Sequence, residues 1–61
     1  MLYTVWLVVR GRRGSLLKRR GYMDATGLAC KAAAMEGVDR AEVSRVDTGE
    51  VVFTCESIES Y

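Results

Sequence analysis

Histidine and proline are absent from this 61-residue chain, and cysteine occurs only twice. Without histidine, no side chain has an ordinary pKa suited to proton transfer near neutrality. A serine nucleophile such as Ser15 would need lysine or a carboxylate as its base, and none is placed for that work. The acids are scattered over turns and one expected sheet face, a distribution that serves solubility. Enzymatic activity is therefore not expected. Cys30 and Cys55 can form at most one bridge and do not make a metal set, so neither a metal nor a cofactor is expected. On the expected fold Cys30 lies outward on a helix and Cys55 inward on a sheet, which leaves both as reduced thiols.

Long hydrophobic runs are also missing. The apolar segment at residues 1–9 has no basic stretch before it and three arginines soon after it, unlike a signal peptide. It is too short to cross a bilayer as a helix. The expectation is a soluble, cytoplasmic protein with no membrane partner. A domain of this size buries only about 60% of the surface its unfolded chain exposes, and with so few possible staples it gains from a neighbouring subunit.

Acid is missing from the first 23 residues altogether. They carry Arg10, Arg12, Arg13, Lys18, Arg19 and Arg20, whereas residues 24–61 carry three cations against eight acids. Net charge is only +1, but local potential is what steers charged partners. Six cations thus fall within eleven residues beside the glycines Gly11 and Gly14.

The pattern of side chains that are present predicts an α+β fold over residues 1–61, in the order β-β-α-β-β. Residues 2–10 alternate with apolar side chains on both faces: Tyr3, Val5, Leu7 and Val9 on one, Leu2, Trp6 and Val8 on the other. Such a strand wants cover on both sides and belongs in the middle of the sheet. Gly11-Arg12-Arg13-Gly14 reads as a turn, returning through a strand at 15–20 that would set Arg19 beside Trp6. Asp24 is a suitable N-cap for an alanine-rich helix at 25–36, ended by Gly37. Its apolar stripe is Ala25, Leu28, Ala29, Ala32 and Met35. Strands at 40–46 and 50–56 flank Asp47-Thr48-Gly49, a hairpin connection ending in glycine. This register sets Val43 opposite Phe53, Ala41 opposite Cys55 and Arg45 opposite Val51. Residues 57–61 form a tail in which Ile58 and Tyr61 could cover an edge.

One helix covers one face of such a sheet, leaving Trp6, Val8, Leu17, Val46 and Val52 on the other. An apolar patch rimmed by charge marks an interaction surface, and a homodimer packing these faces together is the economical expectation. Gly27, Cys30 and Ala34 make a second, smooth surface on the outer side of the helix.

Three short motifs bear on chemistry. Asp47-Thr48-Gly49 resembles the tripeptide around the catalytic aspartate of retropepsin-like proteases, which need two such carboxylates in one buried site. Here aspartate and glycine suit the turn on backbone grounds. Gly11-Arg12-Arg13-Gly14 resembles the GXXG loop of KH domains, but follows a strand rather than joining two helices. Arg10-Gly11-Arg12 resembles the core of AT-hooks without their flanking prolines. The basic hairpin itself says more. Arg10, Arg12, Arg13, Lys18, Arg19 and Arg20 could follow successive nucleic-acid phosphates, and β-ribbons enter duplex grooves in this way. The expected function is a small binding protein contacting nucleic acid through these residues. The alternative is a phage- or mobile-element-type adaptor or inhibitor that docks on a host protein through the apolar Trp6 face or the Gly27, Cys30 and Ala34 side of the helix; an acidic protein surface is a further candidate partner for the basic hairpin.

Overall fold

The computed structural model describes residues 1–56; the expected edge cover by Ile58 and Tyr61 lies outside the described residues. Four strands and one helix follow in the order β1 (Tyr3–Val9), β2 (Arg12–Arg19), α1 (Tyr22–Ala33), β3 (Arg40–Arg45) and β4 (Val51–Glu56). The sheet is antiparallel with spatial order β2-β1-β3-β4. The doubly apolar segment is therefore an inner strand, as its pattern requires. This is the α+β arrangement expected from the sequence.

The core lies between α1 and one sheet face. Val5, Ala41 and Val43 meet Ala25, Ala29, Ala32 and Ala33 there, and all seven are buried. Four alanines on the inner side of α1 let the helix approach the sheet closely. Leu28 packs only partly against this cluster. Met35, expected to continue the stripe, is 57% exposed, because the helix ends before it reaches that position.

The helix begins earlier than the N-cap rule suggested. Gly21 occupies the cap position with no side-chain bond, and Asp24 sits in the first turn, where its charge still favours the helix N-terminus. At the other end Ala34 is the C-cap. Gly37 takes its positive φ of 88° in the turn beyond, which leads into β3.

Both hairpins differ from their expected registers. In the first, Val9 pairs with Arg12, so the turn is Arg10-Gly11 rather than Gly11 to Gly14. Both turn residues have positive φ, 54° and 78°, the geometry that matches strand twist in a two-residue connection. The ladder then skips Leu16, pairing Trp6 with Ser15 and Val5 with Leu17. In the second hairpin Val43 does face Phe53 and Ala41 does face Cys55, but the ladder skips Val52, and Ser44 pairs with Val51. Arg45 instead exchanges backbone bonds with Glu50 and Gly49 across the turn.

These two bulges move side chains between faces. Leu17 now shares the helix side with Val5, and Val52 packs against the core cluster. Neither lies on the open face where the expected register put them.

Candidate nucleic-acid interface

The tip of the first hairpin is braced from β3's approach. Asp39 Oδ2 accepts the Gly11 N–H at 3.2 Å, and the Asp39 N–H donates to the Val8 carbonyl at 2.8 Å. The arginines that flank this tip are therefore held on a fixed turn. Alternation along β2 then distributes the cations. Arg12 pairs with Val9 and Arg19 with Tyr3 on the helix side, whereas Arg13 pairs with Val8 and Lys18 with Thr4 on the open side.

Arg13 is committed within the chain. Its guanidinium lies 4.3 Å from the Trp6 ring centroid, and its Nε is 3.1 Å from Glu42 Oε1. The partner expected for the indole was Arg19; the tight turn places Arg13 there instead. Glu42 also holds Arg40 at 3.1 Å through its other oxygen. Among the described residues, no carboxylate pairs with Arg10, Arg12, Lys18, Arg19 or Arg20 within 4.0 Å. The Arg19 guanidinium donates to the Lys18 carbonyl at 3.1 Å, which ties it to the outer edge of the sheet.

The open face is more self-contained than an uncovered sheet would be. Trp6 is half-buried, and its Nε1 donates to Ser44 Oγ at 2.8 Å. Val8 is 2% exposed, and Thr4 and Ser44 are buried beside the indole. Among the described residues, every buried side-chain polar atom has a partner. Val46 is exposed, and its N–H donates to the Leu2 carbonyl at 3.1 Å at the margin of this face. The five residues expected to form one apolar patch are thus separated: Trp6 and Val8 are covered, Leu17 and Val52 are on the helix side, and Val46 is at an end.

Gly27, Cys30 and Ala34 are all exposed on α1. Cys30 and Cys55 are both free thiols, yet they are neighbours rather than residents of opposite sides. The Cys30 thiol, as hydrogen-bond partner, is the main cause of an upward shift in the Cys55 pKa, and burial adds to it. Cys30 should therefore alkylate first, and Cys30→Ala should speed alkylation of Cys55 near its thiol pKa. Mass-resolved labelling across pH measures both, and equal rates in the parent protein would contradict the assignment.

Asp47, the acid of the Asp-Thr-Gly tripeptide, is an exposed turn residue. Arg45 donates to both of its oxygens, at 3.2 and 3.0 Å, and this pairing lowers its pKa. Because the folded value is depressed, the pair's contribution is present above the unfolded pKa and is lost as pH falls through the folded one. An NMR titration should find the Asp47 midpoint below the ordinary carboxylate range, rising in Arg45→Ala. The group is exposed, so the effect on stability is small.

Sequence reasoning missed Glu42, Ser44 and Asp39, which organise the tip and the indole. Their only signal was the register of β1 against β3, which sets Trp6 opposite Glu42. No helix is long and apolar enough to cross a membrane, and no cluster of potential metal ligands occurs, among the described residues. What the geometry defines is a four-stranded α+β protein with a cationic edge strand. No family model, curated protein or solved structure matches the chain.

Proposed function

We propose that the chain is a non-enzymatic binding protein that holds nucleic-acid phosphates along β2 and its turn. The observation that carries this reading is the set of five cations, Arg10, Arg12, Lys18, Arg19 and Arg20, with no carboxylate partner among the described residues. They gather at the two ends of one edge strand. At about 3.3 Å per residue, Arg12 and Arg19 are roughly 23 Å apart, a span that reaches several phosphates. Arg13 belongs to this group by position, but its guanidinium is held by Glu42, whose single charge it shares with Arg40.

Self-association through the Trp6 face is not part of this reading. The indole, Val8 and the buried hydroxyls beside it are satisfied within one chain; the apolar side chains left exposed on that face are Val46 and Val51, the latter set there by its pairing with Ser44.

Salt dependence is the test. Neutralising five phosphates predicts a slope of log K against log salt near −4.5 for duplex DNA and near −3.5 for a single strand, each about 0.9 or 0.7 per contact. The variant Arg10→Ala/Arg12→Ala/Arg19→Ala/Arg20→Ala should lose nearly all binding in fluorescence anisotropy. A flat salt response in the parent protein would rule the reading out. The exposed apolar side chains Val9, Leu17 and Met23 beside these cations favour a second reading, an adaptor or inhibitor docking on an acidic protein surface. Polyglutamate bound as tightly as an oligonucleotide of equal charge would shift the assignment to that class.

A further inference from the structure

We infer that the strip between α1 and the β2 edge receives single-stranded nucleic acid, with bases on its apolar floor and phosphates on its cationic rim. This rests on the phosphate-binding reading above and specifies which form of nucleic acid that site takes.

The first reason is what the hairpin cannot do. A two-stranded ribbon can enter a major groove about 12 Å wide, but β1 is not free to act as half of a ribbon. It is paired on its other side to β3 from Tyr3 to Val8. Only the turn stands clear of the sheet, and Asp39 ties that turn down. Deep insertion of β1 and β2 into a duplex is blocked by the protein's own third strand.

The second reason is where the helix sits. Four strands spaced about 4.8 Å apart span roughly 14 Å between the outer axes, and one helix is about 10 Å across. Here α1 lies over β1, β3 and β4 and touches β2 least. Leu17 consequently faces the helix side yet is 44% exposed. A hollow of about 650 Å³ opens at the tip end, where Leu7 and Val9 line it beneath Arg10 and Arg12. A second, of about 280 Å³, lies at the far end, where Arg19 and Lys31 line it with Met23, Leu28 and one carboxylate, Asp24. Tyr22 is exposed at that end, its ring held edge-on against Tyr3 at 5.6 Å.

The third reason is two glycines that the fold does not require. Gly14 lines the first hollow and Gly27 the second. Neither has a positive φ, and a Cβ built on either would meet nothing within 4 Å. Glycine weakens both a strand and a helix interior, so the chain loses stability at both positions without a gain inside itself. A bare backbone facing open space is what a flat ligand needs in order to lie close. Unpaired bases present such flat apolar faces, and stacking on side chains is how single strands are commonly held. A duplex hides those faces and would leave Leu7, Leu17 and Tyr22 uncovered.

The test compares ~12-nucleotide oligothymidylate, within the site sizes of single-strand binders, with a blunt duplex of equal length at matched salt. The parent protein should prefer the single strand by about tenfold, the scale of one stacked base. Gly14→Leu/Gly27→Leu fills both hollows without backbone strain and should remove that preference, lowering the ratio of single-strand to duplex affinity about tenfold. Circular dichroism and thermal melting confirm that the variant is folded. Equal binding of duplex and single strand by the parent, or a preference that survives in the variant, overturns this inference and leaves phosphate binding standing. Failure of both oligonucleotides to bind at low salt overturns the reading beneath it.

Discussion

Ala29→Leu should destabilise the protein by about 1–3 kcal/mol, the usual cost of forcing extra methylenes into a filled core. Ala29 has no exposed surface, and neither do Val5, Ala41 and Val43 in the sheet that faces it. The alanine row sets the distance between helix and sheet, so a larger side chain must either leave its preferred rotamer or push α1 away from all three strands at once. A chain of this length is stable by roughly 3–9 kcal/mol at the usual ~0.05–0.15 kcal/mol per residue, so the loss is a large fraction of the total. Each kcal/mol lowers the melting temperature of a domain this small by about 4–8 °C. Ala34→Leu, on the exposed end of the same helix, should leave the melting curve nearly unchanged. Urea and thermal unfolding followed by circular dichroism compare the two. Equal effects would mean that the alanine row does not control the packing.

Of the row's four alanines, Ala33, also buried, lay outside the expected stripe; Ala25, Ala29 and Ala32 were legible because helical spacing and residue size are local properties. The same holds for the inner position of β1, whose apolar residues occupy both faces, and for Val43 opposite Phe53. What escaped notice depended on partners distant in sequence or on irregularity with no local mark. The Arg10-Gly11 turn requires a left-handed arginine, a conformation better suited to glycine, asparagine or aspartate, so the glycine-bracketed alternative looked sounder. Asp39, which binds Gly11 and Val8, supports the tighter turn from 28 residues away. The skipped residues Leu16 and Val52 follow the same logic. A bulge reverses which side chains face the helix after it, yet nothing in Ser15-Leu16-Leu17 or Val51-Val52-Phe53 announces one. The misplacement of Leu17 hid the exposed leucine beside α1, and the second bulge exchanged Val52 for Val51 on the Trp6 side. The cations were visible in the sequence from the start; which of them remain available was not, because Glu42 reaches Arg13 only through the pairing of β1 with β3.

Trp6→Ala should cost more than any other substitution on the open face, toward the lower end of the ~3–5 kcal/mol typical of a buried tryptophan, because the ring is only half-buried. Three interactions go together. The indole covers Thr4 and Ser44, donates to Ser44 Oγ at 2.8 Å, and carries the Arg13 guanidinium on its ring. Trp6→Phe separates them, since it keeps an aromatic face for Arg13 but has no N–H. Ser44, only 4% exposed, then loses its donor, and a cost of about 1 kcal/mol follows for the missing bond. The order of melting temperatures should be parent, then Trp6→Phe, then Trp6→Ala, with the last close to unfolding. Mass in solution should stay the same in the parent and in Trp6→Phe if the indole acts within one chain, as Ser44 and Glu42 make it do. A parent protein of twice the chain mass that falls to one chain in Trp6→Phe would place the ring at a contact between copies instead. Oligonucleotide affinity supplies an independent check. Arg13 stays bound to Glu42 in Trp6→Phe, so the salt slope set by the five other cations should not move.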